Sequence, residues 1–207
     1  MTADTDEPRD GQRRRDARAT REAILNSAIE AFTRLGYDGA GVREVAGGAG
    51  VTAMLVNRYF GSKEQLFAEA VDRSFTPRTV VSDDPSALSE RTAARLAART
   101  SPEADDLDPF VLMLRSVASP RAAEIIRAGI EKHVGRHLTD LLPGPDAAPR
   151  AELLLSLIAG VWLMRKVIAT PALTDMDQGA LTRQLHDLME VLVNAPPSTS
   201  GGGSDGS

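Results

Sequence analysis

Apolar residues recur at three- and four-residue steps along most of the chain, and that spacing predicts helices. In "TREAILNSAIEAFTRLG", residues 20–36, Ile24, Leu25, Ala28, Ile29, Phe32 and Leu35 form one stripe that a helix would bury. Gly36 then stands where a left-handed C-cap is cheap. "GVREVAGGAG" reads as a short, weak second helix, because Gly47 and Gly48 each cost up to about 1 kcal/mol relative to Ala. Thr52 can cap a third helix, Ala53–Phe60, which Gly61 ends. Ser62 and Gln65 make an S-x-x-Q capping box that opens a fourth helix, with Leu66, Phe67, Ala70 and Val71 on one face. Proline, aspartate and serine clusters divide the remainder into helices at about 85–100, 107–118, 120–141, 149–169 and 177–193. No alternating β-branched run with hairpin turns appears. The expected fold is all-α, with about nine helices.

The last two helices carry more apolar surface than one domain covers. Ala151–Ile168 is apolar on almost every side, and Leu181, Leu185, Leu188 and Leu192 stripe the helix after it. A four-helix bundle made from two chains would bury both, so a homodimer is expected, with Leu154, Ile158, Trp162, Leu181, Leu185, Leu188 and Leu192 at its interface. The alternative is a crowded monomeric core. The most apolar run, "LLLSLIAGVWLM", is followed by Arg165 and Lys166 and falls short of the ~20 residues that span a bilayer. No membrane association is expected, and with no apolar run near residue 1 a cytoplasmic location is. Residues 1–17 are polar and aperiodic and read as a disordered basic arm, while "APPSTSGGGSDGS", 195–207, reads as a disordered tail.

Charge narrows the function. The formal net charge is −5, yet from Gly11 to Lys63 nine Lys/Arg face five Asp/Glu. A basic front on an acidic body suits a polyanionic partner at one end. The absence of cysteine removes disulfides, thiolate metal sites and cysteine nucleophiles. His133 and His137 lie four apart on one helix, but no third ligand stands at a matching spacing, so no metal is expected. With three histidines in all and no phosphate loop or strand-turn-helix nucleophile, neither enzymatic activity nor a cofactor is expected.

Two short helices joined by "AGVT" make a helix-turn-helix candidate, in which Gly50 permits the turn and Val51 locks the helices together. The second helix of such a unit enters the major groove. Thr52 can offer its hydroxyl to a phosphate, and Ala53 and Met54 can touch a thymine methyl. Asn57 can pair with adenine, and Arg58 can address guanine or a phosphate. Arg43 and the Arg13–Arg15 arm could add contacts. The stretch from Arg21 to Val71 closely resembles the DNA-binding domain of the TetR family of bacterial transcriptional regulators. It carries that family's Gly50, Val51, Thr52, then Tyr59, Phe60, Ser62, Lys63, Glu64 and Leu66.

The resemblance implies phosphate-holding roles for Tyr59 and Lys63. It implies a helix-turn-helix domain over residues 18–78, with the motif at about 41–60, and a ligand-binding and dimerisation domain over 79–194. Gly41 stands at the usual Ser/Thr cap of the second helix, and Asn57 replaces the common first tyrosine. A small-molecule effector is implied, with Phe110, Met113, Leu114, Ile130, His133, Trp162 and Arg165 as candidate pocket residues. The expected function is a ligand-responsive regulator, most simply a repressor, binding a palindromic double-stranded DNA operator as a homodimer. A helical scaffold without DNA binding is the alternative, and it leaves Tyr59, Phe60 and Lys63 without a common reason.

Overall fold

The computed structural model describes residues 8–75, 80–104 and 109–194, and every regular element among them is helical. In chain order these are α1 (Pro8–Gly39), α2 (Val42–Gly48), α3 (Ala53–Phe60), α4 (Lys63–Phe75), α5 (Leu88–Arg99), α6 (Pro109–Ser116) and α7 (Pro120–Ile130). A π turn (Glu131–Gly135) leads into α8 (Arg136–Leu141), and α9 (Ala147–Trp162) continues into a second π turn (Leu163–Val167). The short α10 (Pro171–Thr174) and α11 (Gln178–Val193) follow, and a single 3-10 turn (Pro85–Ala87) precedes α5. The chain divides into two compact units, residues 1–75 with 107–129 and residues 76–106 with 130–207. Residues 107–129, expected in the C-terminal half, thus fall with the N-terminal unit.

The first unit is organised around α1. This helix starts at Pro8, so residues 8–17, expected to be disordered, are helical; residues 1–7 and the tail 195–207 lie outside the described residues. Periodicity missed this extension because it has no apolar stripe. Proline is suited to a first helical position, and the Gln12 amide donates to Asp16 at 2.9 Å across one turn. Ile24, Leu25, Ala28 and Phe32 pack inward with Val45, Val56, Phe60, Leu66, Phe67 and Ala70. The helical path breaks at Gly36, which has φ 70° and ψ 175°. A Cβ there would also lie 2.4 Å from the Arg115 carbonyl oxygen of α6, so only glycine fits. The break corrects one expectation: Leu35 turns outward, 42% exposed, and Tyr37 turns in. The Tyr37 and Phe32 rings each meet Phe67 edge-on at 4.9 Å.

The second unit packs α5 against α11, and α9 against α8 and α11. Leu88, Ala93, Leu96 and Ala97 meet the stripe Leu181, Leu185, Met189 and Val193, all buried. Two arginines are also buried, and each satisfies helix-end carbonyls that have no partner within their own helix. Arg150 donates to the carbonyls of Leu192 (3.1 Å) and Val193 (3.0 Å) at the end of α11. It also reaches those of Pro143 and Pro145 in the loop before α9. Arg165 donates to the Ala97 carbonyl (2.7 Å) and the Thr100 hydroxyl (3.1 Å) at the end of α5, and to the Leu173 carbonyl (3.0 Å). A positive charge at a helix C-terminus also complements the macrodipole.

α9 and its π turn form one 21-residue rod, long and apolar enough to cross a membrane by length and composition. That differs from the shorter apolar run read from the sequence. Here one face of the rod (Ala151, Leu154, Ile158, Val161, Trp162) is buried within the chain, while Leu153, Met164 and Val167 are exposed.

Candidate nucleic-acid interface

α2, the turn and α3 form a compact reading head. Gly41 caps α2 with no side-chain hydrogen bond, in extended backbone (φ −93°, ψ 150°). The turn passes through Gly50 at φ +66°, a left-handed position that disfavours other residues. The Val51 N–H then closes on the Ala46 carbonyl at 2.9 Å. Thr52 caps α3 by accepting the Leu55 N–H at 3.3 Å. Val45, Ala46, Val56 and Phe60 are buried, and this fixes which face of α3 looks outward. That outward face carries Met54, 79% exposed, together with Asn57 and Arg58, both exposed; Ala53 and Tyr59 are half-buried at its margins. Arg43 is exposed on α2.

The second glycine of α2 has a packing reason that the sequence did not disclose. A Cβ on Gly48 would lie 2.3 Å from the Ser27 hydroxyl, whereas one on Gly47 would meet nothing within 4 Å. Ser27 in turn donates to the Val45 carbonyl at 2.9 Å, tying α1 to α2. An ion pair between Arg34 and Glu44 joins the same two helices at the surface.

Behind α3 the capping box forms in full. The Ser62 N–H donates to Gln65 Oε1 at 3.1 Å, and the Gln65 N–H donates to Ser62 Oγ at 3.2 Å. Lys63, in the first turn of α4, holds its ammonium 4.6 Å from the centre of the Tyr37 ring. Burial first, then the charge of Glu64 and its hydrogen bonding to the hydroxyl, raises the Tyr37 phenol above its ordinary value. Glu64 is held below the usual carboxylate range by the N–H of its own residue first, then by the Ser62 hydroxyl, with Tyr37 and Arg121 adding to it. Two N–H groups at the start of α4 are therefore engaged by the chain's own side chains. That narrows the expected role of this helix end to Lys63.

Arg21 lies over the Phe60 ring at 4.6 Å and pairs with Glu69, so it braces α3 and α4. Sequence reasoning missed Tyr37 and the bracing role of Arg21. The one available signal was an aromatic residue directly after the glycine that ends the apolar stripe.

The candidate pocket residues are distributed over both units. Phe110, Met113 and Leu114, in the first, are half-buried; Ile130, His133, Trp162 and Arg165 belong to the second. Trp162 is buried with the Arg99 guanidinium 5.0 Å from its ring centre. Arg165, expected to line a pocket, is 4% exposed, and its guanidinium is engaged as described above. An open groove of about 420 Å³ lies between α1 and α2, lined by Ala23, Asn26, Ser27, Ile29, Glu30, Gly48 and Ala49. It contains none of the expected pocket residues.

The expected dimer residues also divide. Leu154, Ile158, Trp162, Leu181 and Leu185 are buried in the chain's own core, which corrects their assignment to a subunit interface. A stripe period locates an apolar face but cannot say which neighbour covers it. Leu188 is 55% exposed and Leu192 half-buried. Leu153, Met164 and Val191 are exposed with Leu188, on α9, its π turn and α11.

Comparison with known proteins decides the family. The model for "Bacterial regulatory proteins, tetR family" matches residues 24–70, and that for "Tetracyclin repressor-like, C-terminal domain" matches residues 86–193. The chain belongs to the TetR family. It is a transcriptional regulator with an N-terminal DNA-binding domain and a C-terminal ligand-binding domain. It is 29% identical over 164 residues to the HTH-type transcriptional regulator BetI of Agrobacterium fabrum, covering 73% of this chain and 79% of that regulator. Among solved structures it is similar to the multidrug binding protein EbrR complexed with malachite green, with a TM-score of 0.62 at 20% identity. That match covers 84% of this chain and 97% of EbrR. A TetR-family member from Streptomyces coelicolor A3 also gives 0.62, at 21% identity, covering 82% and 97%. At these identities the structural matches bear on the fold alone.

Proposed function

We propose that this TetR-family chain acts as a homodimeric repressor that binds a palindromic duplex operator and is released by a small organic effector. The observation that carries the reading is the outer face of α3. Met54, Asn57 and Arg58 stand exposed on a helix whose other face is locked by Val56 and Phe60. A bulky apolar side chain, an amide and a guanidinium on a rigid helix match the methyl, adenine and guanine features of a major groove. Arg43, Thr52, Tyr59 and Lys63 then hold phosphates, and Ala53 permits close approach. The ring of Tyr37 sets the position of Lys63.

Two such heads must meet successive major grooves about 34–36 Å apart. We assign the pairing surface to Leu153, Met164, Leu188 and Val191, with Leu192 at its edge, because these are among the large apolar side chains the second unit leaves in contact with water on α9, its π turn and α11. An effector acts only through its different affinity for the DNA-competent and DNA-incompetent states. His133 and Trp162 are our candidates for its lining in the second unit. The site of action is the cytoplasm, where chromosomal DNA is, and no catalytic step is involved.

The test is selection of bound duplexes from a random pool by the purified full chain, followed by footprinting. A repeated inverted sequence with two protected half-sites is the expected result. Enrichment of no sequence at low ionic strength would exclude the reading.

A further inference from the structure

We propose that the free N-terminal length of α1 is a second DNA-contacting element, an arginine rod that follows the phosphate backbone flanking the half-site read by α3. This rests on the assignment of α3 as the reading helix, and it extends the footprint beyond that helix.

Every side chain from Gly11 to Asp16 is exposed, so this part of α1 supports no core. From Gly11 to Arg21 the helix carries five arginines against one aspartate, on a chain whose formal net charge is −5. The charge is sorted by face. At about 100° per residue, Arg14, Arg18 and Arg21 fall on one side of the helix. Gln12 and Asp16, hydrogen-bonded to each other at 2.9 Å, lie roughly opposite. Among the described residues Arg13 and Arg18 make no hydrogen bond or ion pair, so their guanidinium groups have no protein carboxylate to satisfy them.

The rod also begins in the right place. Arg21 is fixed over the ring of Phe60, the last residue of α3, and by Glu69. α1 therefore leaves the body beside Phe60, which ends the recognition helix between Tyr59 and Lys63 in the sequence. From Arg21 back to Gly11 it runs about 15 Å at 1.5 Å per residue, the axial length of about four base pairs. The planar arginine fork suits phosphate oxygens better than it suits water-separated pairing. The segment has no apolar side chain larger than alanine between Gly11 and Arg21, so it lacks the buried face that a membrane-surface helix requires.

The experiment compares the full chain with its Arg13→Ala/Arg14→Ala/Arg18→Ala variant on the duplex that the wild type selects, flanked by about ten base pairs on each side. Binding is titrated over a range of salt. Each phosphate contact contributes about 0.9 to the slope of log K against log salt, so losing three per subunit removes roughly 5 units from a dimer's slope. At about 0.1 M salt the variant should bind at least 10²-fold more weakly, with unchanged base preference and unchanged melting temperature. On a duplex trimmed to the two half-sites the difference should shrink severalfold. A wild type that binds with a slope the variant shares would overturn the arm and leave the α3 reading intact. A wild type that selects no duplex would remove both.

Discussion

Gly47→Ala and Gly48→Ala form a matched pair on one short helix, and the contact between α1 and α2 predicts opposite outcomes for them. Neither glycine has a positive φ, so the backbone accepts alanine at both positions. At Gly47 the added methyl meets nothing within 4 Å, and the gain is the helix-propensity difference, about 0.5–1 kcal/mol. At Gly48 the methyl would lie 2.3 Å from the Ser27 hydroxyl oxygen, so that hydroxyl must turn away. Its 2.9 Å bond to the Val45 carbonyl is then lost.

That carbonyl keeps a second donor, the Ala49 N–H at 3.0 Å, so the acceptor stays satisfied and the lost bond costs about 1 kcal/mol. The serine hydroxyl is nearly buried, and leaving it unpartnered adds roughly 1 kcal/mol more. Net of the propensity gain, Gly48→Ala should destabilise by roughly 1 kcal/mol, so the two variants differ by about 2 kcal/mol. Urea denaturation followed by circular dichroism reads the difference as a shift in midpoint at constant slope. In a Ser27→Ala background the clash disappears, and Gly48→Ala should become neutral or stabilising, a coupling of at least about 1 kcal/mol in the double-mutant cycle. Equal stabilisation by both glycine changes, or a cycle with no coupling, would refute the close approach that sets α2 against α1.

The remaining predictions concern the interface, the dimer and pH. Lys63→Ala and Tyr59→Phe should weaken binding to all duplexes alike, Lys63→Ala also lowering the salt slope by about 0.9 per contact, while Asn57→Ala should change preference at one base pair. An unchanged preference profile for Asn57→Ala would remove its base-reading role. Leu188→Glu should turn a dimer into a folded monomer in sedimentation, whereas Leu185→Ala should cost about 2–5 kcal/mol of stability and leave the association state unchanged. Tyr37 has a raised pKa in the folded chain, so its contribution is present in full below the ordinary phenol value near 10 and is lost as pH rises through the folded value. Tyr37→Phe should therefore flatten the alkaline limb of a stability-against-pH curve, and an identical limb in both proteins would count against the Tyr37–Glu64 contact.

Most of the helical layout was legible because it rests on local signals. Thr52 caps α3, Ser62 and Gln65 cap each other, and Gly50 and Gly61 take the positive φ values their turns require. What stayed hidden depends on neighbours. The pattern placed Leu181 and Leu185 on an apolar stripe, but only the packing of α5 against α11 shows that the chain itself covers them. Arg165 follows an apolar run and reads as a helix-end charge. It is buried because α5 ends beside it with carbonyls to satisfy. Tyr37 owes its place to the bend at Gly36, and the N-terminal extension of α1 to composition with no periodicity to reveal it. The residues of the reading head were found because that motif is short and contiguous, whereas the effector site draws on residues far apart in the chain.

The most direct measurement is the stoichiometry and footprint of the full chain on its selected duplex, by sedimentation of the complex together with hydroxyl-radical cleavage. Two chains per duplex, with two protected segments about one helical turn apart on one face, is the predicted result. A single chain bound without a second protected segment, or protection that does not depend on sequence, would contradict it.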